Sequence, residues 1–114
     1  MCQRAVGNLF AALVPVPKSR IEWIGDPGSY RSSSLAARGF CARCGTPLSF
    51  AYDGSKWICL TLGSLDDPAA VRPEVHYGIE SQVPWLHLAD ELPREPTDAP
   101  ALANMVVLQS RTGD

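Results

Sequence analysis

The most chemically pointed stretch of the chain is Cys41-Ala42-Arg43-Cys44-Gly45. Two thiols at C-x-x-C spacing can bind one metal ion when the residues between them turn sharply, because the N–H groups of that turn face the sulfurs. Gly45, just after the second thiol, supplies permissive backbone geometry. The pair is half of a tetrahedral zinc site. The same spacing also serves thiol–disulfide exchange, but such a pair opens a helix after a strand, and strand-like sequence flanks Cys41 and Cys44 on both sides. Zinc is the expected chemistry, with a redox pair as the alternative.

A zinc site needs two more ligands, and the chain offers Cys2, Cys59, His76 and His87. Cys59 lies in an apolar run with Trp57, Ile58, Leu60 and Leu62, where a free cysteine reads as a small hydrophobe. Strand alternation puts it on the face of Trp57 and Thr61. His87, after Trp85-Leu86, and His76, at the start of a strand-like segment, read as structural residues rather than ligands. Cys2 lies at a terminus, where chains usually fray. It reads equally well as an incidental thiol or as part of a site.

The elements that must position these residues are short. The chain has 114 residues, ten of them proline and nine glycine, which is one domain's worth of sequence. A core is attainable at this size, but a metal or crosslink would add stability. The hydrophobic fraction of 46% and charged fraction of 19% exclude wholesale disorder. A net charge of −2 gives no single-sign field that would point to nucleic acid or an anionic membrane. Leu9 to Val16, the longest apolar run, is broken by Pro15 and is too short to span a bilayer. No signal-peptide pattern opens the chain, so a cytoplasmic setting is expected and the cysteines are read as thiols or ligands.

Short apolar runs between Gly and Pro predict strands near Phe10 to Pro15, Ile21 to Ile24, Ser29 to Ser32, Ala37 to Ala42, Pro47 to Tyr52, Trp57 to Gly63 and Val75 to Ile79. Asp53-Gly54 predicts a tight turn within a hairpin from Leu48 to Leu62. Asp26-Pro27-Gly28 marks another turn. Asp67 before Pro68 predicts one helical turn to Val71. The expected fold is mostly β: short antiparallel strands, a short helical turn and an irregular tail. The domain is expected over 1–93, with a Pro-rich linker and tail over 94–114 in which Ala101 to Gln109 could form a short helix.

Several blocks together resemble a known family. They are Cys2-Gln3-Arg4 with Gly7, Tyr30-Arg31-Ser32-Ser33, Arg38-Gly39-Phe40-Cys41-Ala42-Arg43-Cys44-Gly45-Thr46-Pro47-Leu48, Gly63-Ser64-Leu65-Asp66-Asp67-Pro68, and Pro73-Glu74-Val75-His76 leading to Pro84-Trp85 and Leu92-Pro93. In that order they resemble the glutathione-dependent formaldehyde-activating enzyme family, also called centromere-protein-V-like, across Cys2 to Pro93. The resemblance implies a small zinc-binding β-tent and a carbon–sulfur lyase activity that joins formaldehyde, or a related aldehyde, to glutathione, giving S-hydroxymethylglutathione. It implies that Cys41 and Cys44 are half of a structural zinc site. Cys2 would be the last ligand of a three-cysteine functional zinc, whose open fourth position is the catalytic arrangement.

By the same resemblance, upstream strands, a C-x-C pair and two functional ligands are missing, so the chain is expected to be truncated. Gln3 and Arg4 could contact an anionic substrate such as a glutathione carboxylate. Weak metal affinity is expected unless Cys2, a His or a second chain completes the site, and exposed sheet edges would favour self-association. The alternatives from other classes are a non-catalytic zinc-binding or interaction module and a thiol redox protein using Cys41 and Cys44.

Overall fold

The computed structural model describes residues 1–97. Its centre is a five-stranded antiparallel sheet built from β1 (Leu13–Pro17), β2 (Gly28–Arg31), β3 (Ala36–Phe40), β4 (Pro47–Tyr52) and β5 (Trp57–Thr61), in the order β1-β5-β4-β3-β2. A helix, α1 (Cys2–Val6), precedes the sheet, and β6 (His76–Tyr77) pairs in parallel with β7 (Arg94–Glu95). No helix among the described residues is long and apolar enough to cross a membrane.

The fold class expected from the sequence holds, and so does its hairpin. β4 and β5 pair antiparallel through Ser49↔Leu60 and Phe50↔Cys59, and Gly54 turns between them at φ 72°. Asp67 caps its turn by accepting a hydrogen bond from the Ala69 N–H at 3.2 Å, with Pro68 in the first turn. Three expectations shift. Ile21 to Ile24 is not a strand: none of the described strands pairs with it, and Ile24 is 96% exposed. No turn forms at Asp26-Pro27-Gly28: the chain bends earlier, at Ile24–Gly25, and Gly28 instead opens β2. A Cβ on Gly28 would lie 2.4 Å from the Phe40 ring, so the close approach of β2 to β3 requires glycine there. Val75 to Ile79 contracts to two strand residues, because Gly78 leaves the extended region at φ 70° and opens a 3-10 turn over Ile79–Ser81.

The segment after Pro93, read as linker, begins with β7. A polar clasp holds it. The His76 ring nitrogen Nε2 lies 2.9 Å from both Asp90 carboxylate oxygens, and Asp90 Oδ1 also accepts from the Leu92 N–H at 3.0 Å. The His76 N–H donates to the Pro93 carbonyl at 2.8 Å. The helix expected at Ala101 to Gln109 lies outside the described residues.

β1 is an edge strand, and its sequence Leu-Val-Pro-Val-Pro suits that place. The Lys18 N–H donates to Lys56 and the Leu62 N–H to Ala12, so even-numbered residues of β1 face β5. Pro15 and Pro17 therefore face outward, where their missing N–H breaks no bond of the sheet. Burial is thin. Ala36 and Leu62 are the buried apolar side chains among the described residues, while Trp57, Tyr77 and Trp85 are more than half exposed.

Candidate functional site

The Cys41–Cys44 segment forms the turn its spacing predicts. The Gly45 N–H donates to the Cys41 carbonyl at 2.7 Å, and the Cys41 N–H donates to the Thr46 carbonyl at 2.8 Å. Gly45 closes the turn at φ 80°, in the left-handed region that glycine enters without steric cost. Cys44 is exposed, and its sulfur lies 2.9 Å from the Thr46 hydroxyl. That hydroxyl, then the Thr46 N–H, then the Cys41 thiol hold the Cys44 thiol below its ordinary pKa. Hydrogen bonds to the charged form favour it, and the thiolate is the form that binds metal or attacks.

The second family block folds against the end of this turn. The Thr61 hydroxyl donates to the Pro47 carbonyl at 2.7 Å, and the Ser64 hydroxyl donates back to the Thr61 carbonyl at 2.8 Å. The Gly63-Ser64-Leu65 segment is thereby tied to the strand that leaves Cys41 and Cys44.

The other two cysteines lie elsewhere, near one another. Strand register aligns Tyr30, Arg38, Phe50 and Cys59 in one row across β2, β3, β4 and β5. Directly opposed residues share a face of the sheet. The Arg38 guanidinium stacks on the Phe50 ring at 4.6 Å, and its Nη2 donates to the Cys2 sulfur at 3.3 Å. Phe50 in turn meets Tyr52 edge to face at 4.9 Å. Burial pushes the Cys59 thiol pKa up, and the nearby Cys2 adds to it. Burial also raises Tyr52, with Tyr77, Cys2 and Cys59 adding and Arg38 opposing.

A cleft of about 450 Å³ lies between α1 and the turn, with Arg4, Tyr30, Arg38, Phe40, Gly45 and Thr61 among its walls. Its volume is within the range of small-molecule sites.

The residues singled out from sequence therefore have different fates. Cys41 and Cys44 come together. Cys2, expected to fray, sits in the helix α1, which ends on Gly7 in the left-handed region at φ 64°. Arg4 lines the cleft. Gln3 instead donates its side-chain amide to the Ser81 carbonyl at 2.9 Å, tying α1 to the turn after Gly78. His76 is engaged by Asp90, and His87 is exposed. Cys2 lies with Cys59 and Arg38 rather than with Cys41 and Cys44. Among the described residues no group of three or more His, Cys, Asp or Glu is placed to hold a metal ion. Cys41 and Cys44 thus fit two positions of a zinc site and leave two unfilled.

Sequence reasoning missed Arg38 and Phe50. Their role depends on strand register, which the pattern of single strands does not carry. No curated protein matches the chain. The family model described as glutathione-dependent formaldehyde-activating enzyme matches residues 1–81, well over half of the chain. That span holds both motif blocks and all four cysteines, and the chain belongs to that family.

Proposed function

We propose that this chain activates formaldehyde with glutathione, as its family's description states, by carbon–sulfur bond formation. The observation that carries this reading is the family match over 1–81, which takes in the Cys41–Cys44 turn and the Thr61–Ser64 segment tied to it. The thiol sulfur bonds to the aldehyde carbon, the C=O π bond opens, and the thiol proton passes to the oxygen, giving S-hydroxymethylglutathione. In the lyase direction the same bond breaks.

On this reading Cys2 is the remaining ligand of the functional zinc, and Arg4 contacts the anionic substrate from the cleft wall. Gln3, named with Arg4 from the sequence, holds α1 in place through Ser81. The domain is taken as 1–93, with a tail over 94–114, in a cytoplasmic protein. Zinc would be held in part by Cys41 and Cys44, and it would supply charge neutralisation for thiolates. The donor set present is half of a closed site, so no step is routed through it.

The test pairs zinc per chain, by elemental analysis of protein purified without added metal, with S-hydroxymethylglutathione formation above the uncatalysed rate. Zinc lost in Cys41→Ser and Cys44→Ser, together with a catalysed rate, is the expected result. Zinc without turnover would favour a non-catalytic zinc-binding module.

A second reading is thiol redox chemistry at Cys41 and Cys44, favoured by the exposed, acid-shifted Cys44 beside Cys41. It requires a reversible disulfide and no metal, with two electrons and two protons leaving to an external oxidant. Mass spectrometry of alkylated samples before and after reduction distinguishes it.

A further inference from the structure

Arg38 is held in place but not neutralised. Its guanidinium lies over the Phe50 ring at 4.6 Å and touches the Cys2 sulfur through Nη2 at 3.3 Å. Its Nε is buried and has no hydrogen-bond partner among the described residues. A guanidinium is always charged, and the half-buried one of Arg38 has no carboxylate partner among the described residues. Nε is shielded from solvent, so a ligand entering the cleft would meet the guanidinium at its Nη end, which also presents two N–H groups to a carboxylate. The partner of Nη2 is a thiol, a weak acceptor. The cleft that Arg38 lines also carries Arg4, and no Asp or Glu is among its walls. Hydroxyls from Tyr30, Ser32, Ser49 and Thr61 add neutral polar groups to it.

We propose that Arg38 is the specificity-determining residue of this cleft, selecting a carboxylate-bearing thiol over a neutral one by taking the carboxylate on its guanidinium beside Cys2. The inference rests on the reading of the site as one for glutathione and an aldehyde, and adds which residue recognises the thiol's charge. Phe50 serves this role by fixing the plane of the guanidinium, so that less freedom is lost when the carboxylate binds. Lysine at the same position would keep the charge and lose the fork.

The test is a titration of isotope-labelled wild-type protein, Arg38→Gln and Arg38→Lys, followed by amide chemical shifts. The probes are S-methylglutathione, which cannot react, and its carboxyl diester. Wild-type protein binds S-methylglutathione with shifts at the cleft, Arg38→Gln weakens it by about tenfold or more, and Arg38→Lys falls between, the loss expected for a charge-assisted pair. The diester binds wild type and Arg38→Gln alike. Equal affinity of S-methylglutathione for wild type and Arg38→Gln overturns the proposal, as does an equal loss of both probes, which would mark a purely structural role. Absence of binding to wild type overturns it too.

Dispersed amide spectra of Arg38→Lys show whether the fold survives loss of the fork. Turnover of formaldehyde and glutathione is measured on the same preparations. Turnover with Arg38-independent binding sinks this inference alone. Arg38-dependent binding without turnover sinks the enzymatic reading alone.

Discussion

Cys41 and Cys44 lie in a turn closed by its own backbone hydrogen bonds, with the Thr46 hydroxyl and N–H at the Cys44 sulfur, whereas Cys2 and Cys59 come near one another from a helix and a strand far apart in sequence. The first pair is a local device. Five consecutive residues and Thr46 set its geometry and lower one thiol. The second is a product of tertiary structure, in which burial raises Cys59 and an arginine from β3 reaches the Cys2 sulfur. The same element is thus prepared for opposite uses. A solvated thiolate with donors around it suits metal or electrophile, and a half-buried thiol in a strand suits packing or the wall of a binding site.

The contrast is sharpest in reactivity. In reduced, metal-free protein, iodoacetamide should modify Cys44 several-fold faster than Cys59, since Cys44 is exposed and held below its ordinary value while burial pushes Cys59 up and limits access. Mass spectrometry along a time course reads both sites together, and equal rates would erase the distinction. Gly45→Ala attacks the local device directly. A side chain at φ 80° should lower stability by about 1–2 kcal/mol, measured by denaturant unfolding. It should also speed alkylation of Cys41 without changing Cys59.

Thr46→Val is gentler. Removing the hydroxyl that leads the shift in Cys44 should slow its alkylation by roughly three- to tenfold and leave Cys59 unchanged. The smallest effect is expected far from both pairs, at the clasp. The hydrogen bond from His76 holds the Asp90 carboxyl below its ordinary value of 3.8. A folded-state value below the unfolded one contributes stability above that ordinary value and loses it as pH falls through the folded value. Thermal melts from pH 5 down to pH 2 should therefore show an acid loss in wild type that is shallower in Asp90→Asn.

What the sequence made legible follows the same division. The hairpin was marked by Asp53-Gly54, the helical turn by Asp67-Pro68, and the metal-type turn by Cys41 to Gly45, because each is written in neighbouring residues. The β character followed from short apolar runs between prolines and glycines. The strand expected at Ile21 to Ile24 failed because an apolar run needs a partner to become a strand, and none of the described strands pairs with this one. The helix holding Cys2 is five residues long, too short for periodicity to announce it, although Gly7 was there as its stop. Arg38 stayed hidden because it shares a row with Phe50 and Cys59 only after β3, β4 and β5 take their register. The clasp between His76 and Asp90 is likewise invisible until the loop between them closes.

The outward-facing Pro15 and Pro17 limit how this sheet can grow. Of the three outward positions of β1, only Leu13 keeps an amide hydrogen, so a further strand would find a single donor along that side. The opposite boundary, β2, has no proline. The five-stranded sheet of each molecule then has a joining valence of one. Two copies can meet through their β2 strands about a two-fold axis, and that union presents only proline-blocked flanks to a third copy. Edge-to-edge association of this protein should stop at the pair instead of propagating into a fibre.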